Sequence, residues 1–238
     1  MMQTHPEPHS ASSTDKLNAL RAAVLGANDG IVSVAAIVVG VAGATSSRSS
    51  IFIAGLAGLV AGTMSMAAGE YVSVSSQKDT EEALIRQERA ELRDYPAEEL
   101  EELAEMYQEK GLSQKTAKQV ARELTSHNAL AAHAEIELDI DPDKIRKRTN
   151  PWQAALASAV SFVGGGWVPL LAILATPSHW RLIVTFVAVA VALCITGFLS
   201  AKAGGANKVK AIVRVVIGGA VAMAVTYGIG KLAGTSVS

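Results

Sequence analysis

The charges of this 238-residue chain are segregated: residues 79–148 hold 18 of its 22 acidic side chains and 11 of its 21 basic ones. The flanks are almost uncharged and rich in Ala, Val, Ile, Leu and Gly. Within them five stretches, residues 18–44, 51–74, 153–176, 180–202 and 209–233, are long enough for a helix to cross a hydrocarbon core of roughly 30 Å. They are too unbroken and too rich in Ala and Gly to be barrel strands. The pattern predicts an all-α membrane protein: five transmembrane helices with a three-helix polar insertion between the second and third. In sequence terms, 1–16 is a disordered tail, 17–78 holds the first two spans, 79–149 is the insertion and 150–238 holds the last three spans.

Several function classes drop out early. No basic stripe with interleaved aromatics points to nucleic acid, and no Gly-x-x-x-x-Gly-Lys loop points to a nucleotide. The single Cys194 excludes a disulfide framework within the chain and a cysteine-based metal site. Residues 1–15 lack the charged, apolar and small-residue succession of a signal peptide. Lys and Arg cluster beside the first span (Lys16, Arg21), through the insertion, and between the fourth and fifth spans (Lys202, Lys208, Lys210, Arg214), whereas the other side carries Arg48, Arg181 and Lys231. The positive-inside rule then predicts a cytoplasmic N-terminus and insertion.

Two groups of residues carry chemistry. Asp29 lies near the middle of the first span, roughly 15 Å or more from either end, where an ionisable group marks an ion or proton path by default. In the second span Met66 and Glu70 are i,i+4 and share a face. Thioether sulfur and carboxylate oxygen together suit a transition-metal dication, although methionine also serves as packing filler. Small residues such as Gly58-x-x-x-Gly62 line the spans and favour close helix approach, with a surface for self-association.

The insertion reads as three helices. The first continues the second span through Arg93 and ends at Asp94-Tyr95-Pro96. The next runs Ala97–Lys110 and is closed by Gly111. Ser113 caps the third, which runs to about Leu138. The basic run Lys144–Arg148 follows, placed to meet anionic headgroups of membrane lipid. Glutamates recur at helical spacing, Glu88 and Glu91 on the first helix and Glu99 and Glu102 on the second. His133 and Glu137 are i,i+4 on the third. Carboxylates from separate helices with a His-x-x-x-Glu resemble the way helical bundles hold divalent metals; glutamate-rich solvated helices give the same spacing without any ion.

The runs Gly26-Ala27-Asn28-Asp29-Gly30, Met64-Ser65-Met66 with Gly69-Glu70-Tyr71, Ser76-Gln77-x-Asp79 and Asn150-Pro151-Trp152-Gln153-Ala154-Ala155 resemble the vacuolar iron transporter family, in order and around an insertion of the right size. The resemblance covers about residues 17–235. It implies a homodimer of five-helix subunits that moves Fe²⁺, often also Mn²⁺, out of the cytosol in exchange for protons, with a cytoplasmic three-helix domain that collects metal. No permanently bound cofactor and no enzymatic activity are implied. Asp29 and Met66 match the family's in-membrane carboxylate and thioether. Glu88, Glu91, Glu99 and Glu102 match its cytoplasmic glutamates, and Glu137 the last glutamate of its third helix. His133 departs from it, standing where the plant-type pattern has methionine; the site becomes harder in ligand type and gains a group whose usual titration range is near neutral pH. No ferritin-like domain precedes the first span, as some bacterial relatives have, so oxidation of iron is not expected; the lack of a targeting signal favours a bacterial inner membrane. The rival reading from another class is a metal-responsive membrane sensor or scaffold without transport.

Overall fold

The computed structural model describes residues 11–140 and 150–237, and the side chains of 23–140 and 150–235. Among the described residues all regular secondary structure is helical, without a strand. In chain order the helices are α1 (Ala11–Ala44), α2 (Arg48–Asp94), α3 (Pro96–Glu109), α4 (Gln114–Ile136), α5 (Pro151–Ala175), α6 (Arg181–Ala203) and α7 (Lys208–Val237). Two compact units emerge. One contains the described residues up to Glu70 and from Trp152 onward; the other is Tyr71–Pro151.

The first unit holds the five apolar stretches, and each lies on a helix long and apolar enough to cross a membrane. Its core forms because apolar residues recur every three or four positions on α1, as in Ile31, Val34, Ala35, Val38 and Val39. Phe162, Leu170 and Ile173 of α5, Val189 and Leu193 of α6, and Met223 of α7 meet them there. α6 is apolar on its outer side as well: Val187, Val191, Ile195 and Phe198 are exposed opposite the buried Thr185, Val189 and Leu193. A helix apolar all round suits a lipid surround rather than water. Helix α1 begins at Ala11, inside the stretch expected to be a disordered tail to residue 16. The polar composition of residues 11–16 masked this; Ser and Thr near a helix start are compatible with helical backbone. The remainder of that tail, residues 1–10, lies outside the described residues, as does the basic run 144–148.

The second unit is built from the charged half of α2 with α3 and α4. α2 runs unbroken from its apolar half through Asp94, as the lack of a breaker after Gly69 predicts. Pro96 opens α3 at its first turn, where a missing N–H costs nothing. α3 closes with Gly111 at φ +100°, its N–H on the Gln108 carbonyl at 2.8 Å and the Leu112 N–H on the Tyr107 carbonyl at 3.2 Å. This paired arrangement needs a left-handed residue at Gly111. Ser113 caps α4 by accepting the Thr116 N–H at 3.3 Å. Leu103 and Ala104 of α3 pack on Ala121 and Ala132 of α4, and Ile85 of α2 packs on Ala134 and Ile140.

α4 corrects the expectation of one regular helix to Leu138. Its backbone is extended at Asn128 (φ −164°, ψ 91°), which divides it into two segments, and it ends at Ile136. Asp139 then takes a left-handed conformation (φ 52°), and the Ile140 N–H turns back to the Ala134 carbonyl at 2.8 Å. Asn and Asp tolerate such non-helical positions because their short polar side chains bond locally to backbone.

Candidate metal centre

Glu88 stands on the charged half of α2, well beyond the apolar stretch 51–74. Glu99 lies in the first turn of α3, where the helix dipole favours an acid. His133 occupies the last turn of α4 and Glu137 its C-cap, an end at which the dipole disfavours a carboxylate. One donor atom from each of the four lies within 4.8 Å of the others. His133 Nδ1 is the hub: it is 3.1 Å from Glu88 Oε1, 3.6 Å from Glu99 Oε2 and 3.5 Å from Glu137 Oε2. Glu88, Glu99 and His133 are buried, and Glu137 opens the group to solvent. His133 Nε2 is buried without a hydrogen-bond partner among the described residues.

Three carboxylates around one imidazole are costly to bury. Burial first, then the charges of Glu137 and Glu99, push Glu88 up to about 8. Burial and Glu102 raise Glu99 as well, against the opposing pull of His133. Among the described residues no lysine or arginine pairs with any of the three carboxylates. What the arrangement can do is hold a dication: hard oxygens with one imidazole nitrogen suit a first-row divalent metal. A dication would displace the protons these raised carboxyls retain. Mn²⁺ binding should therefore release protons and tighten as pH rises from about 6 to about 8, because below about 8 the proton on Glu88 competes with the metal. Calorimetric titration in buffers of differing ionisation enthalpy reads both; an affinity flat across that range would contradict it.

The structure thus brings together Glu88, Glu99, His133 and Glu137 and leaves two expected members beside them. Glu91 is half-buried, accepts from Gln87 Nε2 at 3.1 Å, and reaches Glu88 and Glu99 as a neighbouring charge. Glu102 is exposed and acts on Glu99 in the same way.

In the first unit Asp29 lies on an exposed flank of α1 and makes no ion pair or hydrogen bond among the described residues. Met66 is half-buried against the core. Its methyl sits beside Gly26, 3.5 Å from where a Cβ would stand, which is one helical turn from Asp29. Glu70, one turn further along α2, is half-buried. Asn28 Oδ1, next to Asp29 in sequence, is buried without a partner. Sequence reasoning gave Asn28 no role beyond the motif containing it.

A family model described as the VIT family matches residues 20–231, most of the chain. This chain belongs to the VIT family. Its relatives include a protein of Acanthamoeba castellanii named vacuolar iron transporter, 46% identical over 217 residues, which cover 91% of this chain and 79% of that protein. Vacuolar iron transporter homolog 2.1 of Arabidopsis thaliana is 36% identical, with 91% of this chain and 82% of the relative covered. Vacuolar iron transporter homolog 1 of Oryza sativa subsp. japonica is 39% identical, with 90% and 74% covered. With the family and five apolar helices in hand, this VIT-family chain is an integral membrane protein.

Proposed function

We propose that this chain is a secondary transporter that exports a divalent transition metal, Fe²⁺ and also Mn²⁺, from the cytoplasm in exchange for protons. The observation that carries the reading is the convergence of buried Glu88, Glu99 and His133 with Glu137 in a family whose relatives are named iron transporters. In this reading the second unit is cytoplasmic and collects the ion. The ion passes to Glu70, then to Met66 and Asp29, a soft and a hard ligand on two helices, the Met66 methyl lying beside Gly26, one turn of α1 from Asp29. Protonation of Asp29 from the far side loosens its hold and releases the metal. The exposed flank of α1 that carries Asp29 supports a homodimer, because a carboxylate at that depth needs protein or water around it rather than lipid.

Purified protein in liposomes should accumulate Fe²⁺ in response to an imposed pH gradient, and collapsing the gradient should stop it. Metal binding without any gradient-dependent flux would leave a sensor or scaffold and remove the transporter reading. Within the same assay, Glu88→Ala should raise the half-saturating Fe²⁺ concentration about tenfold or more while maximal flux persists. A fall in maximal flux with unchanged half-saturation would place Glu88 in the translocation step instead.

A further inference from the structure

We propose that Asn128 is the positioning residue of the metal centre: the break it makes in α4 aims His133 and Glu137 into the site. The inference rests on the metal reading given above. Were α4 continuous, at about 100° per residue His133 would fall within about 40°, and Glu137 within about 60°, of Lys115, Gln119, Arg122 and Ser126. All four of those residues are exposed. The same geometry would set His133 more than about 100° away from Ala117 and Ala121, the residues by which the first segment is buried. Yet His133 is buried, together with Ala132 and Ala134 on either side of it. The extended backbone of Asn128 resets the rotational phase. Its side chain then caps the new segment, Oδ1 accepting the Ala131 N–H at 3.1 Å. After this turn His133 reaches Glu88 on α2 and Glu99 on α3. A ligand pair that would otherwise face solvent is thereby brought into the buried cluster by one residue that touches none of its ligand atoms.

The test uses Mn²⁺ alone as probe on the full-length protein in detergent, reading affinity and the nitrogen hyperfine coupling of a bound imidazole by pulsed electron paramagnetic resonance. Alanine removes the cap and favours continuous helix, so Asn128→Ala should weaken Mn²⁺ binding about tenfold to a hundredfold and lose the nitrogen coupling, as His133→Ala does. Asn128→Ser keeps a capping oxygen and should retain both. Cooperative thermal unfolding of the metal-free variants separates lost aim from lost fold, and the serine variant stands as the second test if the alanine variant does not fold. Wild-type affinity with nitrogen coupling in Asn128→Ala overturns the inference, as does an equal loss in Asn128→Ser. Wild-type protein that binds no Mn²⁺ through nitrogen removes the metal reading itself, and this inference with it.

Discussion

Asp29→Ala is expected to reduce Fe²⁺ flux to the background of protein-free vesicles while the second unit goes on binding metal. An ionised carboxylate near mid-bilayer costs about 2.5–3.5 kcal/mol even on insertion-based scales. Among the described residues nothing in the subunit offsets that cost through an ion pair or hydrogen bond to Asp29. Removing the charge should therefore leave the fold at least as stable, so thermal unfolding of Asp29→Ala stays at or above the wild-type temperature. Stability held and transport lost is the signature of a group retained for its chemistry. Asp29→Asn keeps the size, removes the charge and should fail in the same way; Asp29→Glu keeps the charge and should retain part of the flux. Undiminished uptake by Asp29→Ala would overturn the proposed path. Loss of flux accompanied by unfolding would return Asp29 to a structural role.

Much of this architecture is legible in sequence because its physics is one-dimensional. A bilayer demands about 20 apolar residues in a row, so the five helices follow from composition. The charge block at 79–148 marks what those spans cannot contain. The turn at Gly111 and the cap at Ser113 are legible for a similar reason, since each depends on a few neighbouring residues. The candidate metal centre is legible only in part. Spacing along one helix pairs His133 with Glu137, but three helices must pack before Glu88 and Glu99 join them and Glu91 and Glu102 do not. The break at Asn128 was the feature least visible. Its neighbours Ser126-His127-Asn128 contain a good capping residue, but Ala129 to Ala134 carries strong helix formers on both sides of any boundary. Local propensity there favours continuity, and the extended backbone and capping side chain of Asn128 interrupt it.

Close approach of backbones is a further property that one-dimensional reading supports only as a tendency, and it sets up the second large effect. Gly165→Ala should destabilise the protein by about 1–3 kcal/mol or more, whereas Gly164→Ala, one residue away, should be neutral or slightly stabilising. A Cβ at Gly165 would run into the Ala27 carbonyl oxygen, with the Ala27 carbonyl carbon at 2.8 Å and its Cα at 2.9 Å. From the other side, a Cβ at Gly30 would meet the Phe162 carbonyl oxygen, with the Gly166 nitrogen at 3.0 Å. These obstacles are backbone atoms, so no rotamer change relieves them, and α1 and α5 would have to separate. In lipid, where apolar burial alone does little to hold helices together, such small-residue contacts carry much of the association. Gly164 meets nothing within 4 Å, and exchanging a helical glycine for alanine there should gain about 0.5–1 kcal/mol. Detergent-solubilised unfolding temperatures read both variants side by side; a Gly165→Ala protein as stable as Gly164→Ala would mean that the two helices are not in backbone contact. Gly30→Ala should behave like Gly165→Ala and, being adjacent to Asp29, should also impair flux. Because Gly30 and Gly165 share one interface, separating the helices once relieves both clashes, so the double substitution should cost less than the sum of the two single ones.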